Sequence, residues 1–305
     1  MEQEQYQEFR RKRVARIKKI LIILLIVSLT VPNILCIILF IRMNALEEEL
    51  ERISERLEES IEYSHYASME NAIVISPALD DDTESSDEIL SDSETYPGKK
   101  LVYLTFDDGP SKNTDAILDL LSQYNVKATF FVLAKENLDD KYRRIIEEGH
   151  TLAIHSYTHK YDEIYASKDS FRQDIDLMKE FLEKNFGYHT FLYRFPGGSS
   201  NQVSKVEKDA LFQVLKEEEL DYVDWNVTSQ DASVVPLSAD KIANNVYEGI
   251  EKNQSNIVLL HDAANKSTTV EALSMILNTL SKRNDVVILP ISKGTDLVQH
   301  VRPSE

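Results

Sequence analysis

The chain has 305 residues, 42% of them hydrophobic, a formal net charge of −18 and a single cysteine. One cysteine excludes an internal disulfide, and the lack of a basic patch argues against nucleic acid as a partner. Residues 1–42 carry +5, 43–98 carry −15 and 99–305 carry −8, so most of the acidity lies in a spacer and says little about a ligand.

In chain order, residues 1–19 are a tail holding Arg10, Arg11, Lys12, Arg13, Arg16, Lys18 and Lys19. Residues 20–42 follow, and within them Ile20 to Ile41 is an uncharged apolar run of 22 residues, long enough to cross a bilayer as a helix. The basic flank before it and the glutamates after it predict a single pass, with the N-terminus in the cytoplasm and the rest outside the cell membrane. Met43-Asn44-Ala45 is a poor cleavage site, so the segment reads as an uncleaved anchor rather than a signal peptide. Cys36 lies inside this run and reads as an apolar filler.

Residues 43–66 repeat Leu46, Leu50, Ile53, Leu57 and Ile61 among charges. That spacing fits either a short coiled coil that makes a homodimer or a lone helical stalk. Residues 67–98 are acidic and Ser-rich, the composition of a flexible linker.

From 99 to 305, apolar runs alternate with amphipathic ones. Strands are expected at 101–106, 128–133, 151–155, 190–195, 221–227, 256–261 and 286–289. Helices are expected at about 113–124, 139–148, 169–186, 204–218, 238–252 and 268–283. The alternation predicts an α/β domain with a parallel sheet, open or closed into a barrel. Either form carries its site at the C-terminal strand ends.

Those ends are where the reactive residues stand. The first strand runs into Asp107-Asp108-Gly109-Pro110 and the third into His155-Ser-Tyr-Thr-His159. The fourth runs into Arg194-Phe-Pro-Gly197-Gly198, the fifth into Thr228-Ser-Gln-Asp231, and the sixth into His261-Asp262. Two imidazoles and a carboxylate leave an open position on a zinc-like divalent ion. Two adjacent acids on a strand point different ways, so one can ligate while the other takes a proton. Arg194 suits a charge-assisted pair with the basic carboxylate. Gly197 and Gly198 would let the backbone approach a substrate, and His261 suits a general acid.

On these motifs the chain resembles the NodB-homology polysaccharide deacetylases, carbohydrate esterase family 4. Thr105-Phe-Asp-Asp-Gly-Pro110, His155-Ser-Tyr-Thr-His159, Arg194-Phe-Pro-Gly-Gly198 and Leu259-Leu-His261 correspond to its motifs in order. The resemblance implies a distorted (β/α)7–8 barrel that removes acetyl groups from N-acetylated sugars. It implies Asp107 as general base and Asp108, His155 and His159 as ligands of a divalent ion (Zn2+, or Co2+, Ni2+ or Mn2+). It implies Arg194 orienting the base, His261 as general acid and a backbone N–H after Pro196 facing the oxyanion.

The family's fourth motif has two candidate registers here, Asp221-Tyr-Val-Asp-Trp225 and Thr228-Ser-Gln-Asp-Ala232. The second is preferred because it sits at a strand end, which makes Thr228 and Asp231, with the two glycines, the expected substrate contacts. Peptidoglycan is the expected polymer; chitooligosaccharide, acetylated xylan and a non-catalytic glycan-binding role are the alternatives.

Overall fold

A computed structural model describes residues 90–233 and 235–304. The basic tail, the expected membrane helix at 20–42, the stalk at 43–66 and nearly all of the linker lie outside the described residues. Among the described residues, no helix is long and apolar enough to cross a membrane.

The elements run α1 (Asp92–Thr95), β1 (Lys100–Gly109), α2 (Thr114–Gln123), β2 (Thr129–Leu133), α3 (Asp139–Glu147) and β3 (Thr151–Ser156). Then come α4 (Tyr161–Ile164), α5 (Lys168–Phe186), β4 (Leu192–Tyr193), α6 (Lys208–Glu217), β5 (Asp221–Tyr222) and β6 (Val227–Thr228). The last are α7 (Ala239–Ile250), β7 (Ser255–His261), α8 (Ser267–Leu280) and β8 (Val286–Ile288). All strand pairings are parallel, in the order β5-β4-β3-β2-β1-β7-β6, with β8 beside the start of β1. The sheet curls into a half-barrel whose two edges are β5 and β6.

β1 lies at the centre and is buried almost throughout, as expected of a parallel strand covered on both faces. Its side chains alternate: Val102, Leu104 and Phe106 pack in the large cluster with the helices, and Leu101 and Tyr103 pack in a smaller cluster on the other face. Thr105 and Asp107 continue that second series. The two-residue period therefore carries Asp107 to the concave side and Asp108 past the strand's hydrogen-bonded end.

Two features differ from the sequence expectation. The run 221–227 does not make one strand. It breaks after Tyr222 and bends at Asn226, so β5 pairs with β4 while β6 pairs with β7, and among the described residues no pairing joins β5 to β6. The physical cause is a buried Asp224 whose carboxylate accepts from Ser199 N, Ser199 Oγ and His300 N. An extended strand could not aim it that way. The C-terminal segment runs beside this opening, with Asp224 N donating to Val298 O and Tyr222 Oη to Val301 O.

Residues 91–98, assigned to the linker by composition, fold onto the domain. Ser91 and Glu94 close a capping box on α1. The Asp92 carboxylate accepts from Tyr103 Oη at 2.8 Å and Thr295 Oγ1 at 2.7 Å.

Candidate metal-dependent active site

Asp108, His155 and His159 bring one ligand atom each to within 4.8 Å of one another. Asp108 Oδ1 lies 3.6 Å from His155 Nε2 and 3.3 Å from His159 Nε2. This Oδ1 is buried and has no hydrogen-bond partner among the described residues. A buried, unsatisfied carboxylate oxygen facing two imidazole nitrogens is a costly arrangement without a cation. The donor set, two nitrogens and one oxygen, fits a divalent ion of the zinc type.

The candidate ligands are held from behind. His155 Nδ1 donates to Arg194 O at 2.8 Å, which leaves the Nε2 lone pair aimed at Asp108. Burial, and then His155, lowers the basicity of His159, favouring the neutral, ligating form. The turn between the histidines is set by Asp174 of α5, whose buried carboxylate accepts from Tyr157 N at 3.0 Å and Thr158 N at 3.2 Å. Asp108 has φ 71°, a left-handed conformation that aspartate tolerates better than most residues. Lys135 Nζ donates to its carbonyl at 2.5 Å. Below it, Asp262 accepts from Ser111 Oγ at 2.6 Å and Thr114 Oγ1 at 2.5 Å. Burial pushes the Asp262 carboxyl up from its usual range.

Asp107 is 3% exposed, and Arg194, wholly buried, donates from Nη1 to its Oδ1 at 2.9 Å. Nη1 also reaches Thr105 Oγ1, Nε reaches Val223 O and Nη2 reaches Asp224 O. The guanidinium lies over the Phe131 ring at 4.0 Å. A charge so deeply placed is tolerated because its donors are met and a carboxylate pairs with it.

Across the sheet, His261 is the Cα partner of Asp107 in the β1–β7 register. Its Nδ1 donates to Asp231 Oδ1 at 2.7 Å, and its backbone N–H donates to Asp231 Oδ2. Thr269 Oγ1 also donates to Asp231, which is nearly fully buried. Burial alone would lower the His261 pKa, but the Asp231 hydrogen bond and charge, then the charges of Asp107 and Asp108, outweigh it. The net shift is upward.

The two registers of the fourth motif both contribute. Asp231 bonds His261, while Asp224 and Trp225 buttress the glycine turn. A Cβ on Gly198 would stand 3.0 Å from Trp225 and 3.2 Å from Asp224, and Gly198 has φ 79°. Gly197 has φ 78°, and a Cβ there would meet Tyr161 at 3.2 Å. Thr228, expected as a substrate contact, is exposed on β6 and its hydroxyl accepts locally from Gln230 N. Asp174, Lys135 and Tyr161 were not singled out from sequence, because only the packing of α4, α5 and the loop after β2 brings them here. Asp262 was noted only as the end of its strand.

A polysaccharide deacetylase family model matches residues 94–219. The peptidoglycan-N-acetylglucosamine deacetylase of Bacillus cereus is 34% identical over 194 residues, covering 62% of this chain and 86% of that one. YheN of Bacillus subtilis is 33% identical over 198 residues, and the chain spans 65% of its length. The solved catalytic domain of the Eubacterium rectale peptidoglycan N-acetylglucosamine deacetylase superposes with a TM-score of 0.62 at 36% identity, covering 74% of this chain and 99% of that one. With its motifs on one rim of a curled parallel sheet and relatives matched along most of their length, the chain belongs to the polysaccharide deacetylases, the NodB-homology fold of carbohydrate esterase family 4.

Proposed function

We propose that the protein hydrolyses N-acetyl groups from an amino-sugar polysaccharide, with peptidoglycan as the substrate, releasing acetate and leaving a free amine. The observation that carries this is the Asp108, His155 and His159 cluster lying beside Asp107 and His261. The peptidoglycan deacetylases among the relatives support the choice of polymer.

When bound by Asp108, His155 and His159, a divalent ion, zinc before cobalt, nickel or manganese, supplies Lewis-acid polarisation and makes water acidic near neutral pH. The chain's own residues do the rest. Asp107, held by Arg194, takes the proton from the attacking water. The Gly197 N–H faces the oxygen that becomes negative at the acyl carbon. His261, protonated and backed by Asp231, gives a proton to the departing nitrogen, so the C–N bond breaks without expelling an amide anion.

The expected setting is a membrane-anchored enzyme, held through Ile20–Ile41 with its N-terminus in the cytoplasm and the domain outside, spaced from the bilayer by 43–98. The basic and acidic flanks of that run support it. A homodimer through 43–66 belongs to the same proposal and is tested by sedimentation of residues 43–305.

The functional test is acetate release from N-acetylated peptidoglycan, chitooligomers and acetylated xylan, each with and without chelator. Release from peptidoglycan that chelator stops is expected. Release from xylan alone points to an ester hydrolase. Glycan binding with no acetate from any substrate, metal added, points to a binding protein and ends the enzyme proposal.

A further inference from the structure

Two tyrosines at the ends of α4 reach the same peptide unit, Pro196–Gly197. Tyr165, nearly fully buried, donates its hydroxyl to Pro196 O at 2.9 Å. A trans peptide points its N–H opposite to its C=O. Clamping the carbonyl therefore turns the Gly197 N–H away from Tyr165, and that N–H has no acceptor among the described residues. Gly197 is exposed, so this N–H is open to solvent or to a bound ligand.

Tyr161 stands at the other side chain position of the turn. Its hydroxyl and Cε1 lie 3.2 Å from where a Cβ on residue 197 would be, so the phenol occupies the space that glycine leaves. Its ring meets His159 edge-on, with centroids 5.4 Å apart at 87°, and Tyr165 at 6.0 Å. The hydroxyl is half-buried and has no hydrogen-bond partner among the described residues. Next to the ligand His159, then, two donors without acceptors stand close together: one phenol and one peptide N–H.

We propose that Tyr161 Oη and the Gly197 N–H form a paired cradle for the acyl oxygen of the substrate as it becomes an oxyanion, and that Tyr165 is the positioning residue that presets the N–H. This rests on the deacetylase reading above. It gives Gly197 a reason beyond its positive φ, since a Cβ there would press on the phenol at 3.2 Å. It also makes α4, a single helical turn between β3 and α5, part of the reaction rather than a connector.

The test uses the metal-loaded protein and N-acetylglucosamine oligomers. Tyr161→Phe keeps the ring against His159 and removes only the donor. Its kcat is expected to fall roughly tenfold to a hundredfold, with KM within about twofold, as for loss of one oxyanion donor. Tyr165→Phe should lose about three- to tenfold by the same criterion, since the N–H remains but is less well aimed. Zinc affinity by calorimetry should be unchanged in both, and the thermal midpoint unchanged in Tyr161→Phe, whereas Tyr165→Phe loses a buried hydrogen bond and should melt somewhat lower. The loss in Tyr161→Phe should shrink on an N-trifluoroacetyl substrate, whose oxyanion is less basic and needs less stabilisation.

A Tyr161→Phe variant with wild-type kcat, or one that raises KM alone, overturns the cradle while leaving the deacetylase reading standing. A loss of kcat matched by a loss of zinc affinity also overturns it, because the tyrosine would then act through His159. Wild-type protein that releases no acetate overturns the deacetylase reading and this inference with it.

Discussion

Asp107 and His261, 154 positions apart in sequence, are direct Cα partners on the paired strands β1 and β7. Both side chains belong to the concave series of their strands, so the register itself sets the distance between the proposed base and acid. The candidate metal-ligand cluster stands to one side of that pair, and each member of the pair has its own buried counter-charge, Arg194 for Asp107 and Asp231 for His261.

Asp107→Asn keeps an acceptor for Arg194 and removes the base. Acetate release should fall by about 10²- to 10⁴-fold, the usual range for a general base, while zinc affinity stays close to wild type. Arg194→Met is the complementary change. It leaves Asp107 buried without its partner and should cost about 3 kcal/mol or more of stability. Denaturant titration of the two variants separates the chemical role from the structural one.

The pH dependence of the reaction should report the His261–Asp231 pair. A general acid must be protonated, so activity is lost as pH rises through its pKa. That pKa is raised in the folded protein, and the alkaline limb should lie above the ordinary histidine value. Asp231→Asn removes the largest raising contributions, leaving burial, which lowers the pKa, opposed only by the charges of Asp107 and Asp108. The alkaline limb should move to lower pH, with kcat reduced even at its new optimum. An unshifted limb would assign the alkaline transition to some other group.

Asp174 accepts from the backbone N–H groups of Tyr157 and Thr158, in the turn between the two candidate ligand histidines. Asp174→Ala should weaken zinc binding by roughly 10- to 100-fold, as loss of an outer partner of a metal site does. Calorimetry with zinc alone measures this without reference to turnover.

His150 gives a prediction about stability rather than activity. Its Nδ1 accepts from Ala128 N at 3.0 Å, and burial, then Lys127 and Arg144, lower its pKa to about 4. The unfolded chain takes up this proton near pH 6.5, and the folded chain does not until about pH 4. The contribution is present above pH 6.5 and is lost as pH falls through that window, up to about 3 kcal/mol by the lower end. His150→Gln should flatten the acid side of the stability profile, measured by urea unfolding at a series of pH values.

The strands that matter most were legible because their apolar runs stop at reactive residues. β1, β3 and β7 end where hydropathy breaks, and Asp107, Asp108, His155, His159 and His261 stand at those breaks. The split of 221–227 was not legible, since Asp224 reads as an ordinary polar interruption until Ser199 and His300 close on it from distant segments. The docking of α1 was hidden for the same reason. Its acidic, Ser-rich composition reads as linker, and only Tyr103 and Thr295, far along the chain, reveal why it stays. Tyr161 and Tyr165 carry no motif of their own; their meaning comes from the peptide they both reach.

In the proposed chemistry one divalent ion at Asp108, His155 and His159 works with Asp107 to remove acetyl groups. Its most direct test is acetate release from N-acetylated peptidoglycan during zinc titration of metal-free protein, run in parallel on wild type and Asp107→Asn. No release is expected without metal, with full recovery in the wild type at one equivalent of zinc and a variant that binds the same equivalent yet stays nearly inert. Undiminished release from metal-free protein, or from zinc-loaded Asp107→Asn, would contradict it.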